Sequence, residues 1–211
     1  MAFDAARQKF GLLVEAYSGK SVDELTAITE GKEIALIFAI EIAIQQKEKR
    51  EERDLSEEEV FVLAICALER EVNNGGYGQF FVNSSRLFTP VVVPALLRIG
   101  CPETAKIAER AINAVGFRGL SPVAMCEAMD AYHAEYFRRN IHRILIPGAT
   151  SETEKLSLVG SSKDPQFASS TEWESLEKEF HECNHLYYTS GERIKKQLME
   201  FVMSNKSAIQ P

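Results

Sequence analysis

Helix starts are written into this chain more clearly than anything else. Ser21-Val-Asp-Glu24, Ser56-Glu-Glu-Glu59, Thr171-Glu-Trp-Glu174 and Thr189-Ser-Gly-Glu192 each place a Ser or Thr three residues before a Glu. In that arrangement each side chain satisfies a backbone N–H that the first helical turn leaves without a partner. Apolar residues then recur at helical spacing, as at Phe61, Ile65, Leu68 and Val72, whereas strand-like alternation is scarce. The expected fold class is all-α, a multi-helix bundle of roughly seven to ten helices.

The remaining boundaries follow from local chemistry. Phe3 to Tyr17 reads as a first helix. The apolar run Ile34 to Ile44 contains Glu41 and falls short of the ~20 apolar residues a membrane span needs, so it reads as a buried core helix. The charged stretch from Gln45 to Arg53 after it is expected to protrude into solvent. Asn73-Asn74-Gly75-Gly76 should stop the helix that opens at Ser56, because Asn and Gly tolerate left-handed backbone. Further helices are expected over Gly78–Ser84, Pro90–Ile99, Pro102–Val115 and from Ser121-Pro122 to about Ile144, the last with an N-cap and a first-turn proline. Gly148 to Ser170 shows no clear period and reads as a long loop. A division near Asp54 gives an N-terminal helical extension, 1–54, and a helical body, 55–211, which can also share one core.

Charge narrows the functional classes. The net charge of −7 argues against direct nucleic-acid binding, which relies on cations that release phosphate counterions. Residues 1–59 hold 14 acidic and 8 basic side chains. Glu48, Glu51, Glu52, Asp54, Glu57, Glu58 and Glu59 form a candidate partner-binding acidic patch, diluted by Lys47, Lys49, Arg50 and Arg53. Glu172, Glu174, Glu177, Glu179 and Glu182 extend it if the two segments are adjacent. The N-terminus has neither the basic nor the apolar region of a signal peptide. Cys66, Cys101, Cys126 and Cys183 lack any Cys-x-x-Cys spacing. Both features fit free thiols in a cytoplasmic protein.

The most distinctive stretch runs from Glu69 to Asn83. It sets Glu71, Asn73, Asn74, Gln79 and Asn83 around Gly75 and Gly76, beside Tyr77, Phe80 and Phe81. Glu71 sits at the edge of the apolar helix face, so it is expected to be buried and to need donors. One reading is a polar staple across a tight turn. The other is a small pocket in which Glu71 acts as acid or base while Asn74 and Gln79 orient a ligand. The segment holds no Ser, Cys or His nucleophile, so the staple is preferred and no catalytic residue is assigned.

The run Glu71-Val-Asn-Asn-Gly-Gly-x-x-Gln-Phe-Phe-x-Asn-Ser resembles the hallmark of the bacterial DNA-mimic-protein family. The likeness continues through Leu96-Leu-Arg-Ile-Gly100, Leu176-Glu-Lys-Glu-Phe180 and Leu198 to Phe201, over roughly residues 55–205. The resemblance implies an all-helical fold and a non-catalytic interaction protein. It further implies a homodimer whose carboxylates imitate DNA phosphates toward a DNA-binding regulator.

His181-Glu-Cys-Asn-His185 also matches the zinc-hydrolase pattern His-Glu-x-x-His. Trp173, Leu176, Phe180, Cys183 and Tyr187 define the apolar stripe of that helix, however, and His181 and His185 point away from it at about 100° per residue. A zinc hydrolase using His181, Glu182 and His185 is therefore the weaker alternative. No metal or other cofactor is expected.

Overall fold

In a computed structural model, residues 2–49, 54–116, 119–140 and 170–211 are described. The fold is all-α. Nine α-helices and one 3-10 segment occupy these residues, and no strand is found among them. They are α1 (Ala2–Tyr17), α2 (Val22–Ile28), α3 (Glu33–Lys49), α4 (Glu57–Val82), the 3-10 segment Ser84–Phe88, α5 (Thr89–Arg98), α6 (Pro102–Ala114), α7 (Pro122–Asn140), α8 (Ser170–Thr189) and α9 (Ile194–Ser204). No single helix among the described residues is long and apolar enough to cross a membrane.

Local rules explain most of these limits. Ser21 caps α2 with both halves of the capping box formed. Ser56 does the same for α4, its Oγ accepting from the Glu59 N–H at 3.2 Å while Glu59 accepts from the Ser56 N–H at 2.9 Å. Ser121 Oγ accepts from the Ala124 N–H at 3.2 Å at the start of α7. The box expected at Thr189 does not form. Thr189 closes α8, its hydroxyl donating back to the His185 carbonyl at 2.9 Å, and α9 begins after Arg193 without a side-chain cap. The expected end of α7 near Ile144 and the loop from Gly148 lie outside the described residues, as does the Thr171 side chain.

The chain folds into two compact units that interleave along the sequence. The first comprises residues 1–66, 94–102 and 192–211, the second 67–93 and 103–191. In the first unit, α3 packs against α1, α2 and α9, and Leu25, Leu36, Ile40, Ile44 and Leu198 are buried. Apolar burial of this kind is the main force holding such a unit together.

A buried ion pair departs from the expectation that the stretch after Ile44 is solvated. Lys47 is 3% exposed and Glu59 0% exposed, and the two are in direct contact. The Lys47 ammonium also donates to the Gln210 carbonyl at 3.0 Å, and Glu59 accepts from the Gln210 N–H at 2.9 Å. Ser56 Oγ donates to the Ala208 carbonyl at 2.8 Å. The chain's last residues thus supply the hydrogen bonds that let two opposite charges leave water together.

This arrangement predicts unequal costs. Lys47→Met, which strands the Glu59 carboxylate, should destabilise by about 3–5 kcal/mol, the usual penalty for breaking a buried pair from one side. Lys47→Met combined with Glu59→Leu should cost less than the single change. Urea unfolding of both variants checks this, and a double variant less stable than Lys47→Met would contradict it.

Candidate functional site

The second unit is built around an aromatic cluster. Phe81 stacks on Phe180 with ring centroids 5.6 Å apart, and Tyr132 stacks on Trp173 at 5.7 Å. Phe80 meets Phe81 edge-on at 5.3 Å, and Tyr77 meets Tyr187 edge-on at 6.1 Å. These are favoured geometries for ring quadrupoles. Phe80 and Phe81 of the central motif therefore serve the core.

The polar part of the motif is organised by a single-residue break. The helix that opens at Ser56 breaks within Asn73–Gly76, as expected. α4 is two helical stretches that meet at a kink, the second running to Val82. At the kink Gly76 alone has non-helical backbone, φ +79° and ψ −173°. That conformation is essentially restricted to glycine. After the break the Tyr77 N–H donates to Asn184 Oδ1 at 2.9 Å. The Asn184 side chain presses so closely on Gly76 that a Cβ there would overlap it. A second tie comes from Tyr188, whose hydroxyl donates to the Val72 carbonyl at 2.6 Å.

Glu71 is 7% exposed. Its Oε2 accepts from Gln79 Nε2 at 2.8 Å and from Asn83 Nδ2 at 2.6 Å, and its Oε1 accepts from Ser85 Oγ at 3.0 Å. Burial raises the carboxyl's pKa, but the hydrogen bonds from Gln79, Asn83 and Ser85, with the nearby Arg70 charge, outweigh it, and Glu71 titrates below the ordinary value of 4.5. An ionised carboxylate with both oxygens engaged is the staple arrangement.

The other motif residues divide around this centre. Gln79 folds back over Gly75, where a Cβ would collide with its carbonyl oxygen. Asn73 turns onto its own helix, donating to the Glu69 carbonyl at 2.6 Å, and Asn74 is exposed. The structure thus brings Glu71, Gln79 and Asn83 together and leaves Asn74 outside. Sequence reasoning missed Ser85 and Asn184. Ser85 reaches Glu71 only because residues 84–88 turn as a 3-10 segment. Asn184 is one of the three residues inside the His181–His185 motif, whose His181, Glu182 and His185 carry the metal reading.

An open cleft of about 710 Å³ lies beside the motif. Gln79, Asn83, Tyr136, Glu177, His181 and Asn184 are among the residues that line it. His181 and His185 are exposed, while Trp173, Leu176, Phe180, Cys183 and Tyr187 of the same helix are buried. Glu182 is paired with Arg110, which also engages Glu179. Among the described residues no three His, Cys, Asp or Glu side chains gather as a metal site requires. Burial pushes the Cys183 thiol up to about 11, so it is a poor nucleophile.

Of the acidic patch, Glu48, Asp54 and Glu57 are exposed and Glu58 half-buried. Glu51 and Glu52 lie outside the described residues. Glu59 does not belong to an exposed acidic surface, because its carboxylate is consumed by Lys47 and the backbone at Ser56 and Gln210.

Residues 53–144 match the model of the DMP19-like protein family. That span contains the whole Glu71–Ser84 motif and agrees with the DNA-mimic-protein resemblance carried by those residues. It is shorter than the 55–205 expected, ending before Leu176. No curated protein and no solved structure matches the chain.

The Glu71 network sets the outcome of its removal. Glu71→Ala should destabilise the chain by about 1–3 kcal/mol, the cost of leaving buried donors unpaired. Because the folded pKa lies below the unfolded one, the ionised group's contribution is complete above pH 4.5 and is lost as pH falls through the folded value. Glu71→Gln should therefore flatten the decline in stability below pH 4.5. Denaturant melts at stepped pH measure this, and parallel profiles for the two proteins would count against it.

Proposed function

We propose that this chain is a non-catalytic, cytoplasmic interaction protein whose exposed carboxylates engage a DNA-binding regulator in the manner of a DNA mimic, with a homodimer as the working assembly. The observation that carries the reading is the state of Glu71. It is the buried carboxylate of the central motif, and its two oxygens are held by Gln79, Asn83 and Ser85. A general base needs a free lone pair within reach of a proton to be taken, and an adjacent nucleophile or substrate group to receive its help. Glu71 already accepts three hydrogen bonds, and the one hydroxyl that reaches it, Ser85, is itself buried, so we read the motif as scaffold.

Exposed acids on the two units provide the means of recognition. Asp54 and Glu57 are exposed in the first, and Glu172, Glu174 and Glu177 in the second. Carboxylates of this kind steer a cationic partner at long range, and DNA-binding faces are cationic because duplex DNA carries one charge per about 1.7 Å of axis.

A tagged full-length chain incubated with native lysate at low salt should retain a DNA-binding protein. Added duplex DNA should displace it, and raising the salt should release it, since screening weakens exposed charge pairs. Charge reversal at Asp54, Glu57 and Glu58, or separately at Glu172 and Glu174, should weaken retention while leaving the helical content intact. A retained partner indifferent to DNA, salt and both sets of substitutions would overturn the reading.

A further inference from the structure

The Glu71 network has a directional effect on the cleft beside it. A carboxylate is acceptor-only, so it can be satisfied only by the NH2 ends of Gln79 and Asn83. Each amide therefore has its carbonyl oxygen left over as an acceptor. The Gln79 oxygen lies over Gly75, and Gly75, Gln79 and Asn83 all line the cleft. On the opposing helix α8, Glu177 adds an exposed carboxylate to the same cleft, its Oε1 accepting from Trp173 Nε1 at 3.0 Å and its Oε2 left for a ligand, with the apolar surfaces of Leu176 and Phe180 beside it. No Lys or Arg is among the described residues that line it.

Two amide carbonyls and one carboxylate, set against the Asn184 NH2 and His181 with no Lys or Arg among the described lining residues, suit a ligand rich in N–H donors. Phosphates and carboxylates are disfavoured by the Glu177 charge. The apolar walls suit a ligand whose donors sit at the end of a hydrocarbon stem. A planar guanidinium presents five donors spread over a fork and is less strongly hydrated than an ammonium, so it loses less on entering such a cleft. The second unit already holds a guanidinium against Trp173, the Arg139 group lying 5.1 Å from the centre of its ring. Tyr132 stacks on that same ring, so a ligand in the cleft is recognised chiefly by the acceptors.

We infer that the cleft between the Gly75–Asn83 motif and α8 is a binding site for an arginine side chain. The source of that side chain, a partner protein, rests on the interaction role proposed above, whereas the chemistry of the cleft does not. Glu71 is then a positioning residue, turning two carbonyls toward the ligand without touching it.

The experiment uses the full chain and a small probe. Trp173 is the only tryptophan in the sequence and lines the cleft, so its fluorescence reports occupancy. N-acetyl-arginine amide should give a saturable change. N-acetyl-citrulline amide, which keeps the shape and loses the charge, should bind at least about tenfold more weakly, as should N-acetyl-lysine amide. Glu177→Gln, on an exposed residue, should weaken arginine binding with the circular dichroism unchanged. Gly75→Ala should do so by displacing Gln79. The inference fails if the arginine probe gives no saturable change, if citrulline or lysine matches it, or if Glu177→Gln binds as the parent does. Because no partner is present, such a failure leaves salt-sensitive capture of a regulator untouched, and loss of that capture leaves probe binding untouched.

Discussion

A carboxylate withdrawn from water must be given donors, and much of the second unit's local geometry follows from meeting that need at Glu71. Its three side-chain donors come from Gln79, Asn83 and Ser85, all after a break that only Gly76 can make cheaply. Gln79 can reach back only because position 75 has no Cβ. The pair of glycines thus has two separate duties, one of backbone conformation and one of space. Asn184 then closes the gap by accepting from the Tyr77 N–H. An unpaired backbone donor in this buried place would cost about as much as a lost hydrogen bond.

The first unit answers the same constraint differently. Glu59 is given a full counter-ion, Lys47, together with backbone donors from Ser56 and Gln210. A buried pair of opposite charges adds little net stability but is costly to split. It therefore specifies which segments must be together more than it stabilises them. Both Glu59 and Glu71 are engaged by donors within their own units.

Much of the fold was legible in the sequence because helix starts and apolar spacing are local signals. Ser21, Ser56 and Ser121 cap as their spacing requires. Thr189 did not, because a hydroxyl at a helix end can satisfy itself on the carbonyl four residues back, and sequence spacing does not rank the two options. The need of Glu71 for amide donors was also readable, since its place on the helix edge is a matter of periodicity. What escaped notice was non-local. Lys47 looked like a solvated lysine in a charged run, and its burial depends on residues 12 and 163 positions away. Asn184 lies 107 positions from the N–H it accepts from, and no local pattern marks it.

Glu71 is an ionised structural anchor and not a poised acid. Carbon NMR of its side-chain carboxyl in the full-length chain, assigned by comparison with Glu71→Gln and followed through acid titration, measures this directly. The account predicts a midpoint below the ordinary carboxylate value of 4.5, with the Gln79 and Asn83 amide signals shifting at the same midpoint. A midpoint raised toward neutrality, as a general acid or base would need, would contradict it.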